Sequence, residues 1–226
     1  MPIYYKFLSA DIALKVMELK QLKVSLLSEL NDAFDCSPRI KPPSDEPGYT
    51  EDTWTDRIIA QNSRHTGLLC FSKTYKSPLL WGHYSSCGTG LALGFDPKEF
   101  PWGNPMELRY ESSRPYFKWA TDSKINHDFV DRMLRHSFGV KATEWRYEEE
   151  IRYILALNSC KPVAGMYFAP FPPAALKQVI IGPKVKLTAD YINHFVSHHF
   201  KGSTVEVCIA NLHQTRFEMR IVKDGS

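Results

Sequence analysis

The chain has little that would place it in a membrane, in a disulfide framework or around a structural metal. No apolar run among its 226 residues approaches membrane-spanning length. The N-terminal MPIYYKFLSADIALKV has no basic region followed by an apolar core, so no signal peptide is expected. The five cysteines (Cys36, Cys70, Cys87, Cys160 and Cys208) are odd in number and lack C-x-x-C spacing. That argues against paired disulfides and zinc and for a reducing compartment. A soluble, cytoplasmic protein with no membrane partner is the expectation. No cluster of Lys and Arg forms a basic arm, and the 28 basic and 25 acidic residues nearly balance. No RNP-like aromatic motif or basic stripe is visible. No Gly-rich turn carries a Rossmann or P-loop signature, since GTGLALG runs into a strand instead of a helix.

What is present suits a packed α+β domain. PIYYKFLS reads as a strand, followed by a helix with Ser9 as cap and Ile12, Val16 and Leu19 on one face, widened by Leu14 and Met17. QLKVSLLS, TGLLCFSK, TGLALGFD, MELRYES, PVAGMYFA, QVIIGPK, STVEVCIA and TRFEMRIVK read as strands. TWTDRIIAQNSRH and SPLLWGHYSS read as short helices. A longer helix is predicted over SKINHDFVDRMLRHSF, where Ile125, Phe129 and Met133 repeat, and another over LTADYINHFVSHHF with Thr188 as cap. Residues 36–56 hold four prolines and little apolar content, which predicts a mobile loop within a single domain spanning 1–226. Strands interrupted by helices without regular βαβ alternation indicate the α+β class.

The segment EWRYEEEIRYILAL, residues 144–157, is the most informative. Read as one strand, it sets Ile151, Tyr153, Leu155 and Leu157 on one face and Arg146, Glu148, Glu150 and Arg152 on the other. Two carboxylates on one pleated face sit roughly 7 Å apart, and they repel unless a cation, proton or substrate lies between them. Such a pair can orient ribose hydroxyls and stabilise positive charge at an anomeric carbon. It can equally be a solvated strand edge paired to Arg146 and Arg152. His83 and Tyr84 of LLWGHYSS offer an acid/base pair or a stacking surface, or simply a packed helix. Asn31, Asp32 and Asp35 of NDAFD suit a turn better than a metal. His194, His198 and His199 suit a solvated helix end. Cys70 lies in an apolar strand, where burial keeps a thiol protonated.

YYKFLS, LNDAFD, FSKTYKSPLLWGHYSSCGTGLALGFD, KATEWRYEEEIR and QVIIGP together resemble a bacterial family catalogued as a domain of unknown function. Its pattern runs Y-K-[FY], N-D-P-F-[ED], F-S then [LM]-W-x-H-Y, H-x-G, and W-x-Y-E-x-E-x-R, and the likeness spans residues 3–183. This chain departs at Ala33, where the family has proline, and at Gly88, where it has the histidine of H-x-G. The family's layout in turn is similar to the ADP-ribosyltransferase superfamily. That resemblance implies a mixed, mostly antiparallel split sheet flanked by helices, with NAD as substrate. It implies Glu150 as the catalytic carboxylate and Glu148 as its partner. Tyr5, Lys6, Ser72, His83 and Tyr84 would contact the dinucleotide, with Arg152 in support or on a phosphate, and the segment 36–56 would close as a lid.

The function so implied is ADP-ribosyl transfer from NAD to an unidentified acceptor (protein, nucleic acid or water), of the kind used by toxins and anti-phage effectors. Two other readings stay open. One is a metal-dependent nuclease or hydrolase built on Asp32, His83, Glu148 and Glu150, with magnesium or manganese as the suited ion. The other is a non-catalytic interaction or sensing module in which WGHY and WRYEEEIR only hold the fold together.

Overall fold

The computed structural model describes residues 2–42, 47–118 and 135–223. The first strand, β1 (Tyr4–Leu8), leads through α1 (Ala10–Leu19) into β2 (Gln21–Leu26). The strand β3 (Arg39–Lys41) and α2 (Glu51–Ser63) precede β4 (Thr66–Ser72), α3 (Pro78–Tyr84) and β5 (Leu91–Phe95). Four short strands follow: β6 (Met106–Glu107), β7 (Arg109–Glu111), β8 (Tyr116–Lys118) and β9 (Val140–Ala142). A 3-10 helix, Thr143–Glu148, opens β10 (Glu150–Ala156). The remainder is β11 (Lys161–Val163), β12 (Met166–Pro170), β13 (Leu176–Ile181), α4 (Ala189–His199), β14 (Glu206–Leu212) and β15 (Met219–Lys223).

Eleven of the described strands form one mixed sheet, whose long path runs β11-β12-β2-β4-β1-β5-β13-β14-β15. Only β13 and β14 pair in parallel; the other ladders of this sheet are antiparallel. The chain is therefore α+β with a mixed, mostly antiparallel sheet flanked by helices. The sheet divides at β4. Strand β10 pairs with it from Ser72 to Thr66 and so fills one edge. The other edge is shared: β2 holds Gly67 and Leu68, and β1 reaches only Ser72. Between them the edge has no strand partner, and Lys6 Nζ spans the gap to donate to Cys70 O at 2.9 Å.

The main core lies where β5, all five residues buried, meets β4, β10 and β13. Phe71, Phe95, Phe100 and Tyr153 meet edge to face or tilted there, arrangements aromatic quadrupoles favour. Helix α4 starts as expected, with Thr188 Oγ1 accepting from Tyr191 N. In α3, Pro78 occupies the first turn, where its missing N–H costs nothing.

Several expectations are corrected. Helix α1 buries Val16 and Met17 of the expected face together with Ala13, but leaves Ile12 and Leu19 exposed, so its inner face is turned from the expected one. PVAGMYFA is a hairpin, because Ala164 and Gly165 both take positive φ and make the tight turn that joins β11 to β12. MELRYES breaks at Leu108, whose N–H leaves the strand to donate to Glu150 O. The span 36–56 is not a loop throughout: Cys36 and Ile40 are buried, β3 is a strand, and α2 begins at Glu51 with a Thr50–Thr53 capping box. The helix predicted from Ile125, Phe129 and Met133 lies, apart from its last turn, outside the described residues.

Gly90 and Gly182 let three chain segments meet. Gly182 N donates to Gly90 O, and a Cβ on Gly90 would stand 2.0 Å from Leu8 O and 2.9 Å from Ser85 O. Since backbone atoms cannot swing away, Gly90→Ala should destabilise the fold by about 3 kcal/mol, the upper range for overpacking. Urea denaturation measures this, and Gly48→Ala, with open space around it, is the control that should leave the midpoint in place.

Candidate active site

A cavity of about 250 Å³ opens at the split between β1 and β2. Tyr5 and Lys6 from β1, Ser72 from β4, Tyr84 from α3, and Glu148, Glu150 and Arg152 from the charged segment all line it, with Asp35 and Lys141. Seven of the eight residues singled out from the sequence meet here. His83 does not: it is exposed, with its ring 6.0 Å from Tyr147 and 6.3 Å from Trp145.

The two glutamates do not arrive by strand alternation. Residues 143–148 form a 3-10 helix, and Glu149 takes a left-handed φ of 43° before β10 starts at Glu150. That reversal throws Glu149 outward and brings Glu148 to the same place as Glu150. Ser72 Oγ fixes the turn by donating within reach of Glu148 O at 2.6 Å and Thr74 O at 2.9 Å. Tyr110 OH accepts from Glu150 N at 2.7 Å on the other side. The solvated-edge reading fails, because Glu148, Glu150 and Arg152 are 4%, 5% and 0% exposed.

Lys141 and Arg152 hold the carboxylates together. Lys141 Nζ lies 2.6 Å from Glu148 Oε2, 2.9 Å from Glu150 Oε2 and 3.6 Å from Asp35 Oδ2. Arg152 donates Nε to Glu150 Oε1 at 2.6 Å and both Nη atoms to Asp35 at 2.8 and 2.6 Å. Its Nη1 also reaches Phe138 O and Cys36 Sγ, and its Nη2 reaches Glu150 Oε2. The guanidinium has every donor engaged and none left for a phosphate. Tyr84 OH donates to Glu148 Oε1 and accepts from Asn31 Nδ2 at 3.0 Å.

Three carboxylates against two cations leave one negative charge in excess, and the two glutamates respond differently. Burial pushes the Glu150 carboxyl up, but Arg152 and Lys141 outweigh it and hold the group well below the usual carboxylate range. Burial also pushes Glu148 up, Glu150's charge adds to it, and the opposing Lys141 and Tyr84 do not offset the rise. Burial works against the Lys141 ammonium too, yet attraction to Glu150, Asp35 and Glu148 leaves its pKa raised. Tyr110, chiefly through burial, is pushed up to about 12, as is the Cys70 thiol, in line with an inert cysteine.

Lys141 was not singled out by its sequence. It stands between Val140 and Ala142 in a three-residue strand, and nothing local marks it as the partner of two glutamates. Asp35 was read as part of a turn. In fact Asp32 makes the turn, its Oδ1 accepting from Phe34 N, and Asp35 goes inside to Arg152. Gly88 has φ of 87° and accepts from Lys184 N, so a histidine at that position would be strained. His194 is exposed in the middle of α4 and His198 in its last turn, so only His198 and His199 stand at the helix end. Among the described residues no helix is long and apolar enough to cross a membrane, and no group of three His, Cys, Asp or Glu is placed to hold a metal.

No protein-family model, no curated protein and no solved structure matches the chain. The geometry of the cavity therefore bears the weight of any functional reading.

Two measurements follow from the network. Arg152→Met should cost about 3–5 kcal/mol in urea denaturation, because it strands Asp35 and Glu150 as buried charges. The folded Glu150 gives up its proton more readily than the unfolded residue. Its contribution to stability is thus complete above about pH 4.3 and is lost as pH falls below that value toward the folded pKa. A pH series of melting temperatures should show an acid limb that flattens in Glu150→Gln.

Proposed function

We propose that this protein cleaves the nicotinamide–ribose bond of NAD and passes the ADP-ribosyl group to an acceptor or to water, as in the ADP-ribosyltransferase superfamily. The observation that carries the reading is the pairing in one cavity of a glutamate held ionised, Glu150, with one whose pKa is raised, Glu148, at the split of the sheet. Two titratable groups driven apart by their surroundings are a mark of acid/base chemistry. The order of the lining residues along the chain, Tyr5 and Lys6, then Ser72 and Tyr84, then Glu148 and Glu150, supports it as well.

In this reading the roles of the glutamates are the reverse of those the resemblance implied. Both oxygens of Glu150 are taken up by Arg152 and Lys141, so it anchors the site. Glu148 also lines the cavity, with Lys141 on one oxygen and Tyr84 OH on the other, and a ribose hydroxyl can take the tyrosine's place. As the C1′–N bond breaks, its electron pair passes to the nicotinamide nitrogen and neutralises the pyridinium. The Glu148 carboxylate stabilises the positive charge left on the ribose. The incoming oxygen or nitrogen then bonds to C1′ and loses its proton to Glu148. A cavity of about 250 Å³ is below the ~300–1,000 Å³ of drug-sized pockets, so it holds a nucleoside-sized part of the dinucleotide.

The metal-dependent reading has less support. Lys141 Nζ occupies the place between Glu148 and Glu150 that a cation would take. Its other suggested ligands, Asp32 and His83, are not among the cavity's lining residues.

Nicotinamide release from NAD by the purified protein, with and without a cell lysate as acceptor source, tests the proposal. Glu148→Gln should lower the rate by about 10²-fold or more while melting close to wild type. Glu150→Gln should lose both rate and stability. The acid limb of the pH–rate profile should lie above the ordinary glutamate value of about 4.3, since Glu148 must be ionised. No release by the wild type under either condition, with no thermal shift on adding NAD, would overturn the reading. A Glu148→Gln protein that melts early and loses nothing else would leave the network a purely structural role.

A further inference from the structure

Strands β3 and β8 form a separate two-stranded parallel ribbon, with Arg39 opposite Tyr116, Ile40 opposite Phe117 and Lys41 opposite Lys118. Alternation divides the ribbon into two faces. Ile40, 1% exposed, turns inward to pack with Trp54 and Ile58 of α2, and Phe117 joins them. Arg39, Lys41, Tyr116 and Lys118 are all exposed on the outer face. This face therefore offers three cations around one aromatic ring, and Arg39 already lies over that ring at 5.2 Å.

The arrangement is costly as bare surface. Like charges directly opposite in a strand pair are destabilising, and Lys41 faces Lys118 with no ion pair to either among the described residues. Lysines do guard strand edges against aggregation, but that role requires no aromatic ring beside them. Glu51 answers one of these charges, binding Arg39 at 2.7 Å, and its other oxygen accepts from Tyr116 OH at 3.4 Å. The positive character continues toward the cavity. Arg114 lies 5.8 Å from the ring of the exposed Phe34 and is tied to Ser37 O and Oγ, both at 2.9 Å. Phe34 and Ser37 flank Asp35 and Cys36, and Asp35 lines the cavity wall. Through Phe34, next in sequence to the cavity-lining Asp35, and Arg114, just before β8, a second cation–ring pair joins the cavity wall to the ribbon.

We infer that this ribbon face is a docking surface for single-stranded nucleic acid. Lysines and arginines along a backbone track, with rings on which unpaired bases stack, are the two components of sequence-tolerant single-strand binding. Arg39 lies over the Tyr116 ring while bound to Glu51, and it would exchange that carboxylate for a phosphate when a base takes its place over the ring. The surface needs no particular chemistry in the cavity and stands apart from the NAD reading.

Fluorescence anisotropy with a labelled oligo-uridine of about 12 nucleotides, a length within the ~4–16 nucleotide site sizes of such surfaces, tests the inference. The wild type should bind, with log affinity falling linearly as log salt rises. Lys41→Glu combined with Lys118→Glu should weaken binding at least tenfold and reduce the salt slope by about 1.4, two phosphate contacts' worth. Tyr116→Ala should weaken it about tenfold with the salt slope unchanged. Because a charge reversal can disturb folding, Lys41→Gln with Lys118→Gln serves beside it, and melting curves for all variants should match the wild type. Nicotinamide release without acceptor should be unchanged in them. No binding at low salt, binding that survives the lysine substitutions, or a duplex of equal length held as tightly would each overturn the inference. Binding without any nicotinamide release would leave the ribbon's role standing and remove the NAD reading alone.

Discussion

The structure around the cavity depends on Arg152. Its guanidinium is fully buried, and it joins Asp35 from the segment after β2, Glu150 from β10 and the carbonyl of Phe138 ahead of β9. Asp35 lies 117 positions from Arg152, and beside the small apolar cluster of Cys36, Phe138 and Ile154 a planar cation with five donors ties these segments together. Its full engagement is what makes a buried charge tolerable. Lys141 then completes the cluster by adding Glu148 to Asp35 and Glu150.

The cluster sits where β4 loses its strand partners between β1 and β2. A gap in a ladder leaves backbone groups that must be satisfied, and Lys6 answers that at Cys70 O. The cavity that reaches the buried carboxylates opens at the same gap. This gap and the densest buried charge among the described residues therefore coincide, and the proposed catalytic reading rests on that coincidence. Glu150 is bound by both cations and Glu148 by Lys141 alone, so the two carboxyls are driven in opposite directions.

Much of the site was legible. The spacing of W-R-Y-E-E-E-I-R marked Glu148, Glu150 and Arg152 as a charged face that could be a site or a solvated edge, and Tyr5, Lys6 and Ser72 came from the family resemblance alone. The path by which Glu148 arrives was not legible, since period-two alternation treats residues 144–149 as strand and a 3-10 turn reads the same locally. Lys141 was hidden by brevity: a three-residue strand shows no period. The prolines of 36–56 pointed to a loop, yet pairing with β8, burial of Ile40 against Trp54 and Ile58, and its N–H on Thr55 Oγ1 hold a strand in that stretch.

By itself the sequence determined the α+β class, most strands and helices, the absence of paired cysteines by C-x-x-C spacing, and the residues from which a site could be made. Those are properties of local pattern, read from alternation, caps and composition. Tertiary structure decided which of them meet. It gave Lys141 and Asp35 to the glutamates, excluded His83, turned α1 so that Ile12 faces solvent, and set Lys41 beside Lys118 across 77 positions of chain. Such pairings depend on how distant strands register once the core is filled, and no local window of sequence carries that information.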